Sequence, residues 1–327
     1  MSEVILDIRG LQTFFFTDEG VVKAANEVNL KLPRGKTLGL VGESGCGKTV
    51  TALSILRLVP SPPGKIVDGK ILFNGEDLLG KNDEEMRRIR GGKISMIFQD
   101  PMTSLNPVFT IGDQVAEAIK LHQSVADKRD LEKKIEAILG KVGIPDAAKR
   151  IKNYPHQFSG GMRQRVMIAM ALSCRPDLLL ADEPTTNLDV TIQAQIIELI
   201  SELQREFGTS IIYITHDLGI VAEVAEDVAI MYAGRIVEYA DVVTIYKRPR
   251  HPYTQALLTS VPRVDMTRRR LTVIPGSVPD LVNLPPGCSF HPRCRYAKDI
   301  CKEETPLLVE VDSGHFAACL RLGELEV

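Results

Sequence analysis

The chain has 327 residues, 44% of them apolar, and its 40 Lys and Arg against 42 Asp and Glu leave a formal net charge of −2. That length can bury a large core and suits one big domain with an appendage. The charge balance gives no electrostatic case for nucleic acid as the main partner. No apolar stretch approaches the roughly 18 residues of a membrane span, so membrane association is expected to run through a partner.

Val4-Ile5-Leu6-Asp7-Ile8 alternates as a strand does and lacks the basic n-region of a signal peptide, so the chain reads as cytoplasmic. Residues 1 to about 95 read as short strands leading into a glycine-rich loop. Thr37-Leu38-Gly39-Leu40-Val41 precedes the loop as a buried strand, and Thr51-Ala52-Leu53-Ser54-Ile55-Leu56 follows it as a helix. A polar hairpin region runs from Gly69 to Gly80. Between about 101 and 175 the spacing is helical, as in Leu131, Ile135, Ile138, Leu139 and Val142, with Gly143 as a stop. Leu178 to Ala181 is continuously apolar, like a parallel strand covered on both faces. A helix through Ile192, Ile196, Leu199, Ile200 and Leu203 closes at Gly208. The buried strand Ile211-Ile212-Tyr213-Ile214 then completes a right-handed βαβ unit. Val228 to Met231 and Arg235 to Glu238, joined across Ala233-Gly234, read as a terminal hairpin. Beyond Ala240 the character changes, with nine of the 19 prolines between Pro249 and Pro306.

Gly42-Glu43-Ser44-Gly45-Cys46-Gly47-Lys48-Thr49 fits G-x-x-x-x-G-K-[ST] between a strand and a helix. Its glycines let backbone N–H groups from about Ser44 to Thr49 wrap phosphates. Lys48 supplies a point charge, and the Thr49 hydroxyl can ligate Mg²⁺. Asp182-Glu183 emerges from the end of a buried strand, where α/β sheets bind ligands. Asp182 would hold Mg²⁺, and Glu183 would orient and deprotonate an attacking water. The plainer reading makes both acids helix caps before Pro184. A second anion grip, Phe158-Ser159-Gly160-Gly161-Met162, opens another helix. Two grips in a chain with one nucleotide make sense if Ser159 and Gly161 serve another subunit's nucleotide.

Together these motifs resemble those of ABC ATPases, which sandwich nucleotide between head-to-tail subunits; the implied fold is an α/β P-loop NTPase (RecA-like) nucleotide-binding domain with a helical subdomain. Phe158 and Met162 depart from the usual L-S-G-G-Q. The resemblance implies that Gln99 is the Q-loop glutamine, reaching Mg²⁺ or the water. His216 would contact the γ-phosphate as the switch histidine, Asp189 would be the D-loop acid, and Phe15, flanked by Phe14 and Phe16, would stack on adenine. Phe98-Gln99-Asp100-Pro101-Met102-Thr103-Ser104-Leu105-Asn106-Pro107, with Arg250-His251-Pro252-Tyr253-Thr254-Gln255-Ala256-Leu257-Leu258 and Pro286-Gly287-Cys288, resembles the bacterial oligopeptide/dipeptide and nickel importer ATPases. The start, Phe15 to Lys23, resembles their "D" subunit. The implied partners are two permeases, a paralogous ATPase and an external peptide-binding protein, with the chain peripheral on the inner face of the membrane. A soluble ABC ATPase acting on DNA or ribosomes is the alternative. It is disfavoured by the single nucleotide domain and the charge balance.

The domains expected are 1–240, the ATPase with its helical subdomain at about 101–175, and 241–327, an irregular extension. Cys46 lies in the phosphate loop and Cys174 in a helix. Cys288, Cys294, Cys301 and Cys319 are separated by five, six and 17 intervening residues. Cytosolic thiols stay reduced, which argues against disulfides, while four thiolates suit Zn²⁺ or a [4Fe–4S] cluster, with free thiols as the remaining alternative. The loose spacing suggests the larger centre, which the family resemblance also implies. The extension is therefore expected to be a small domain pinned by metal, with His291 and His315 as nearby substitute ligands or, on the preferred reading, surface residues.

Overall fold

A computed structural model describes residues 3–100, 104–260 and 274–324. Pro101, Met102 and Thr103 of the Gln99 motif, and 261–273 of the extension, lie outside the described residues. The chain forms two compact units, Met1–Leu79 with Tyr213–Val327, and Gly80–Ile212.

The first unit opens with β1 (Val4–Thr17) and β2 (Gly20–Pro33), an antiparallel pair of 14 residues each. They are longer than the short strands expected, because register shifts at Ile8/Leu11 and Thr13/Phe15 bend the ribbon without ending it. β3 (Thr37–Val41) is buried at every position, and α1 (Lys48–Ile55) starts at the phosphate loop. β4 (Gly64–Phe73) and β5 (Glu76–Asp77) complete an antiparallel sheet in the order β2-β1-β4-β5.

In the second unit α2 (Asp83–Ile89) is started by a capping box of Asn82 and Glu85, and β6 (Ile94–Ile97) follows. α3 (Ile111–His122) has a similar box from Thr110 and Asp113. α4 (Lys128–Lys141) buries Leu131, Ile135, Ile138 and Leu139, the stripe its spacing predicts. The stop expected at Gly143 is there, with φ of +79°. α5 (Ala147–Arg150) and α6 (Gly160–Leu172) lead to β7 (Leu178–Asp182), which runs parallel to β6 and is wholly buried. α7 (Val190–Phe207) closes at left-handed Gly208, and β8 (Ser210–Thr215) returns the chain to the first unit.

There α8 (Leu218–Val224) precedes β9 (Asp227–Tyr232), parallel to β3, and β10 (Arg235–Asp241), antiparallel to β9. This hairpin is not terminal. After α9 (Val242–Lys247), α10 (Pro252–Ser260) and α11 (Ile300–Glu303), β11 (Val309–Asp312) and β12 (His315–Ala317) add to the sheet of β3, β9 and β10, in the order β11-β12-β10-β9-β3. A three-residue strand is too short to show in a hydrophobic pattern. Among the described residues no helix is long and apolar enough to cross a membrane.

The metal-bound extension expected from Cys288, Cys294, Cys301 and Cys319 is corrected by the structure. Among the described residues, no group of three or more His, Cys, Asp or Glu side chains is arranged to hold a metal ion. The four cysteines do border one cavity, but of only about 20 Å³, room for roughly one water. Burial pushes the Cys288 thiol up to about 11 and also raises Cys294 and Cys319. Tyr253 and Phe290 join the core of Val41, Val221, Val228 and Ile230, and Ile274, Leu281, Leu284 and Cys288 pack against it.

His315 is also not a surface residue. It is 1% exposed, with Nε2 2.8 Å from Oε1 of the fully buried Glu238. The same carboxylate accepts the Arg250 N–H at 2.6 Å and the His251 N–H at 2.9 Å, joining β10, β12 and the lead into α10. Glu238→Ala leaves these donors without an acceptor and is expected to lower stability by about 3 kcal/mol. Denaturant unfolding of wild type and variant checks this; equal midpoints would contradict the role given to Glu238.

Candidate nucleotide-binding site

The phosphate loop follows β3 in the first unit, and its shape depends on missing side chains. A Cβ on Gly42 would lie 2.2 Å from the Met231 carbonyl oxygen, and one on Gly47 only 2.0 Å from that of Ala24. Gly47 also has φ of +107°, and as N-cap it offers no side chain to the first amides of α1. Those amides and the positive end of the helix dipole therefore suit an anion. A Cβ on Gly45, at φ +80°, would meet nothing within 4 Å, so the crest of the loop is open. Lys48, buried in the first turn, donates from Nζ to the Gly42 and Glu43 carbonyls at 2.7 and 3.0 Å, curling around the loop. Ser44, Gly45 and Thr49 are exposed, whereas Cys46 is buried and its thiol is raised by that burial. The Cys46 side chain packs inside the loop.

Two more expected residues lie in this unit. His216 is exposed directly after β8, where Thr215 Oγ1 accepts the Asp217 N–H at 3.0 Å and Asp217 caps α8. Phe15 is half-buried on β1, opposite Val22 and Gly64; Phe14 is also half-buried and Phe16 is 51% exposed.

The second unit brings Gln99 and Glu183 together. β6 and β7 pair Ile97 with Ala181, so the residues two further along each strand emerge level at the carboxyl ends. Gln99 Nε2 donates to Glu183 Oε2 at 3.0 Å, and Thr186 Oγ1 donates to the same oxygen at 3.0 Å. Asp182 and Glu183 are both buried, and Glu183 has φ of +45°, a conformation that non-glycine residues hold at a cost of about 1–3 kcal/mol. Neither acid is the cap of a following helix; that place belongs to Asp189, whose Oδ1 accepts the Ile192 N–H at 3.0 Å. Ser159 caps α6, and buried Phe158 anchors that helix start. Gly161 lets α6 approach α7, since a Cβ there would lie 2.8 Å from Ile192 Cγ2. Ser159, Gly160 and Asp189 stay exposed. Sequence reasoning missed Thr186 and, in the first unit, Arg293, which meets the loop residue Glu43 from 250 positions away.

A glycine phosphate loop on a buried strand, an acidic strand end and a helix capped by Ser159 are the features of an ATP-binding cassette. Residues 25–186 match the ABC transporter family, and residues 237–301 match the oligopeptide/dipeptide transporter C-terminal region. A probable peptide ABC transporter ATP-binding protein of Sinorhizobium fredii is 53% identical over 99% of this chain and 97% of its own. The dipeptide transport ATP-binding protein DppD of Bacillus subtilis is 51% identical over 97% of this chain and 94% of its own. The chain belongs to this family of peptide ABC transporter ATP-binding proteins, and its enzymatic class is ATPase. These relatives are named for ATP binding and peptide transport, not for an iron–sulfur centre, in line with the corrected reading of the cysteines. Among solved structures, the dimeric cassette MJ0796 in a post-hydrolysis state with ADP and Pi superposes with a TM-score of 0.65 at 25% identity. It covers 72% of this chain and 98% of its own.

The two tight glycines differ in kind from Gly45. Gly47→Ala is expected to raise the Kd for MgATP by more than about tenfold, and Gly45→Ala by less, since only Gly47 adds a backbone clash to the positive φ. Titration with a fluorescent ATP analogue checks the order of the two.

Proposed function

We propose that this chain is the ATP-driven motor subunit of a peptide importer, working against two membrane permeases and paired head-to-tail with a second cassette. The family membership supports the peptide substrate class and the peripheral place on the cytoplasmic side. The observation that carries the catalytic part is the Glu183 carboxylate at the end of β7, held by Gln99 and Thr186.

In this reading the amides from Ser44 to Thr49 wrap the β- and γ-phosphates, Lys48 neutralises them, and Phe15 stacks on adenine. The Thr49 hydroxyl, Asp182 and Gln99 would hold Mg²⁺, which would supply positive charge to offset that of the phosphates. Glu183 orients a water in line with the γ-phosphorus. As the new P–O bond forms and the bond to ADP breaks, the water's proton passes to the Glu183 carboxylate. His216 contacts the γ-phosphate. Ser159 and Gly161, with Asp189 beside them, grip the nucleotide of the partner cassette. The apolar exposure of Val108, Phe109 and Leu121, just beyond Gln99, supports a docking surface for the permease on that side of the second unit.

Lys48→Ala is expected to abolish tight MgATP binding, whereas Glu183→Gln retains binding and cuts turnover by about 10²–10⁴-fold. Glu183→Gln hydrolysing ATP at the wild-type rate would remove the role given to that residue. The sandwich is tested by mixing a Ser159 variant with a Lys48 variant. Each alone should be inactive, and the mixture should recover at most one competent site per dimer. A Ser159 variant with full activity as a monomer would overturn it.

A further inference from the structure

The phosphate loop is gripped by the C-terminal extension of the same unit. Arg293 and Glu43 form a two-pronged ion pair, Nη1 to Oε2 at 2.7 Å and Nη2 to Oε1 at 2.9 Å. The Arg293 side chain is 5% exposed, and its hydrogen bonds to Glu43 raise the guanidinium above its ordinary range. Its Nε donates to the Pro275 carbonyl at 2.9 Å, and Nη1 lies 3.4 Å from the Tyr232 hydroxyl. A planar fork bonded on three sides has one orientation, unlike a lysine on a flexible stem.

A second contact falls on the same loop residue. The Glu43 backbone N–H donates to the Tyr253 hydroxyl at 3.0 Å, so this amide is turned toward the extension. Tyr253 is fully buried against Tyr232 and Phe290, with ring centroids 4.6 and 5.3 Å away. It is set in place from behind by His251. Burial holds that imidazole down at about 4, which keeps it neutral, and its Nδ1 accepts the Tyr253 N–H at 3.1 Å. A third contact lies on β2, where Lys23 N–H donates to the Leu281 carbonyl at 3.2 Å, one residue from Val22, the partner of Phe15. Lys48 in turn bonds the Glu43 carbonyl, so the residue gripped by the extension also touches the phosphate-binding lysine.

We propose that the C-terminal extension is a latch on the phosphate loop, with Arg293 as a positioning residue that acts through Glu43 to keep the loop in its nucleotide-binding shape. The latch rests on reading the loop as the ATP site. By linkage, the grip then works in both directions: bound nucleotide orders the extension, and a released extension weakens nucleotide binding.

The test uses the full chain, a non-hydrolysable ATP analogue with Mg²⁺, and hydrogen exchange of residues 274–324. In wild type, the analogue should slow exchange in the extension about tenfold. Arg293→Met should raise the Kd for the analogue about tenfold and uncouple the extension from nucleotide; Arg293→Lys should fall between the two. An unchanged Kd in a folded Arg293→Met, or wild-type exchange that ignores bound analogue, overturns the latch. If Arg293→Met does not fold, the wild-type exchange arm decides alone. An analogue that fails to bind wild type overturns the ATP-site reading itself, a result distinct from losing the latch.

Discussion

The phosphate loop lies against two backbone carbonyls, Met231 O beside Gly42 and Ala24 O beside Gly47, at distances that no Cβ allows. Side chains can shift to accommodate a neighbour, but carbonyls fixed in strands cannot, so the loop has one available path. That path sets where α1 begins, points its first amides outward, and folds Lys48 back onto the Gly42 and Glu43 carbonyls. The rest of the first unit is organised around this approach. β2 supplies Ala24, β9 supplies Met231, and the extension packs on the core beneath β9.

In the second unit, parallel register does the equivalent work. β6 and β7 end level, so Gln99 and Glu183 meet without any special loop conformation on the Gln99 side. The strain sits at Glu183, whose positive φ turns the carboxylate toward Gln99 and Thr186. A buried acid with two neutral donors on one oxygen is held in one orientation without being tied to a cation by either of them.

The extension shows how one cysteine pattern supports two physical pictures. Four thiols along a proline-rich segment suggest a metal that replaces a missing core. The segment does not lack a core, because Tyr253, Phe290, Ile274 and Leu281 share that of the strands, and Glu238 ties its two ends to β10. Cys288 and Cys294 become part of that packing, where burial raises both thiols. The two-pronged Arg293–Glu43 pair that ties the extension to the phosphate loop involves no cysteine.

What the sequence determined by itself was local. Gly42 to Thr49 between strand and helix, the apolar run into Asp182, the stripe of α4 and the stops at Gly143 and Gly208 are each written within a few residues, because backbone geometry and helical period act over that range. The cassette family was legible for the same reason. The length of the β1–β2 ribbon, the burial of His315, the strand at β12 and the meeting of Arg293 with Glu43 were not. Each depends on residues tens to hundreds of positions apart being brought into contact by the shared core. Whether four cysteines bind metal or simply pack is likewise a matter of distance and dielectric in three dimensions, which spacing along the chain does not encode.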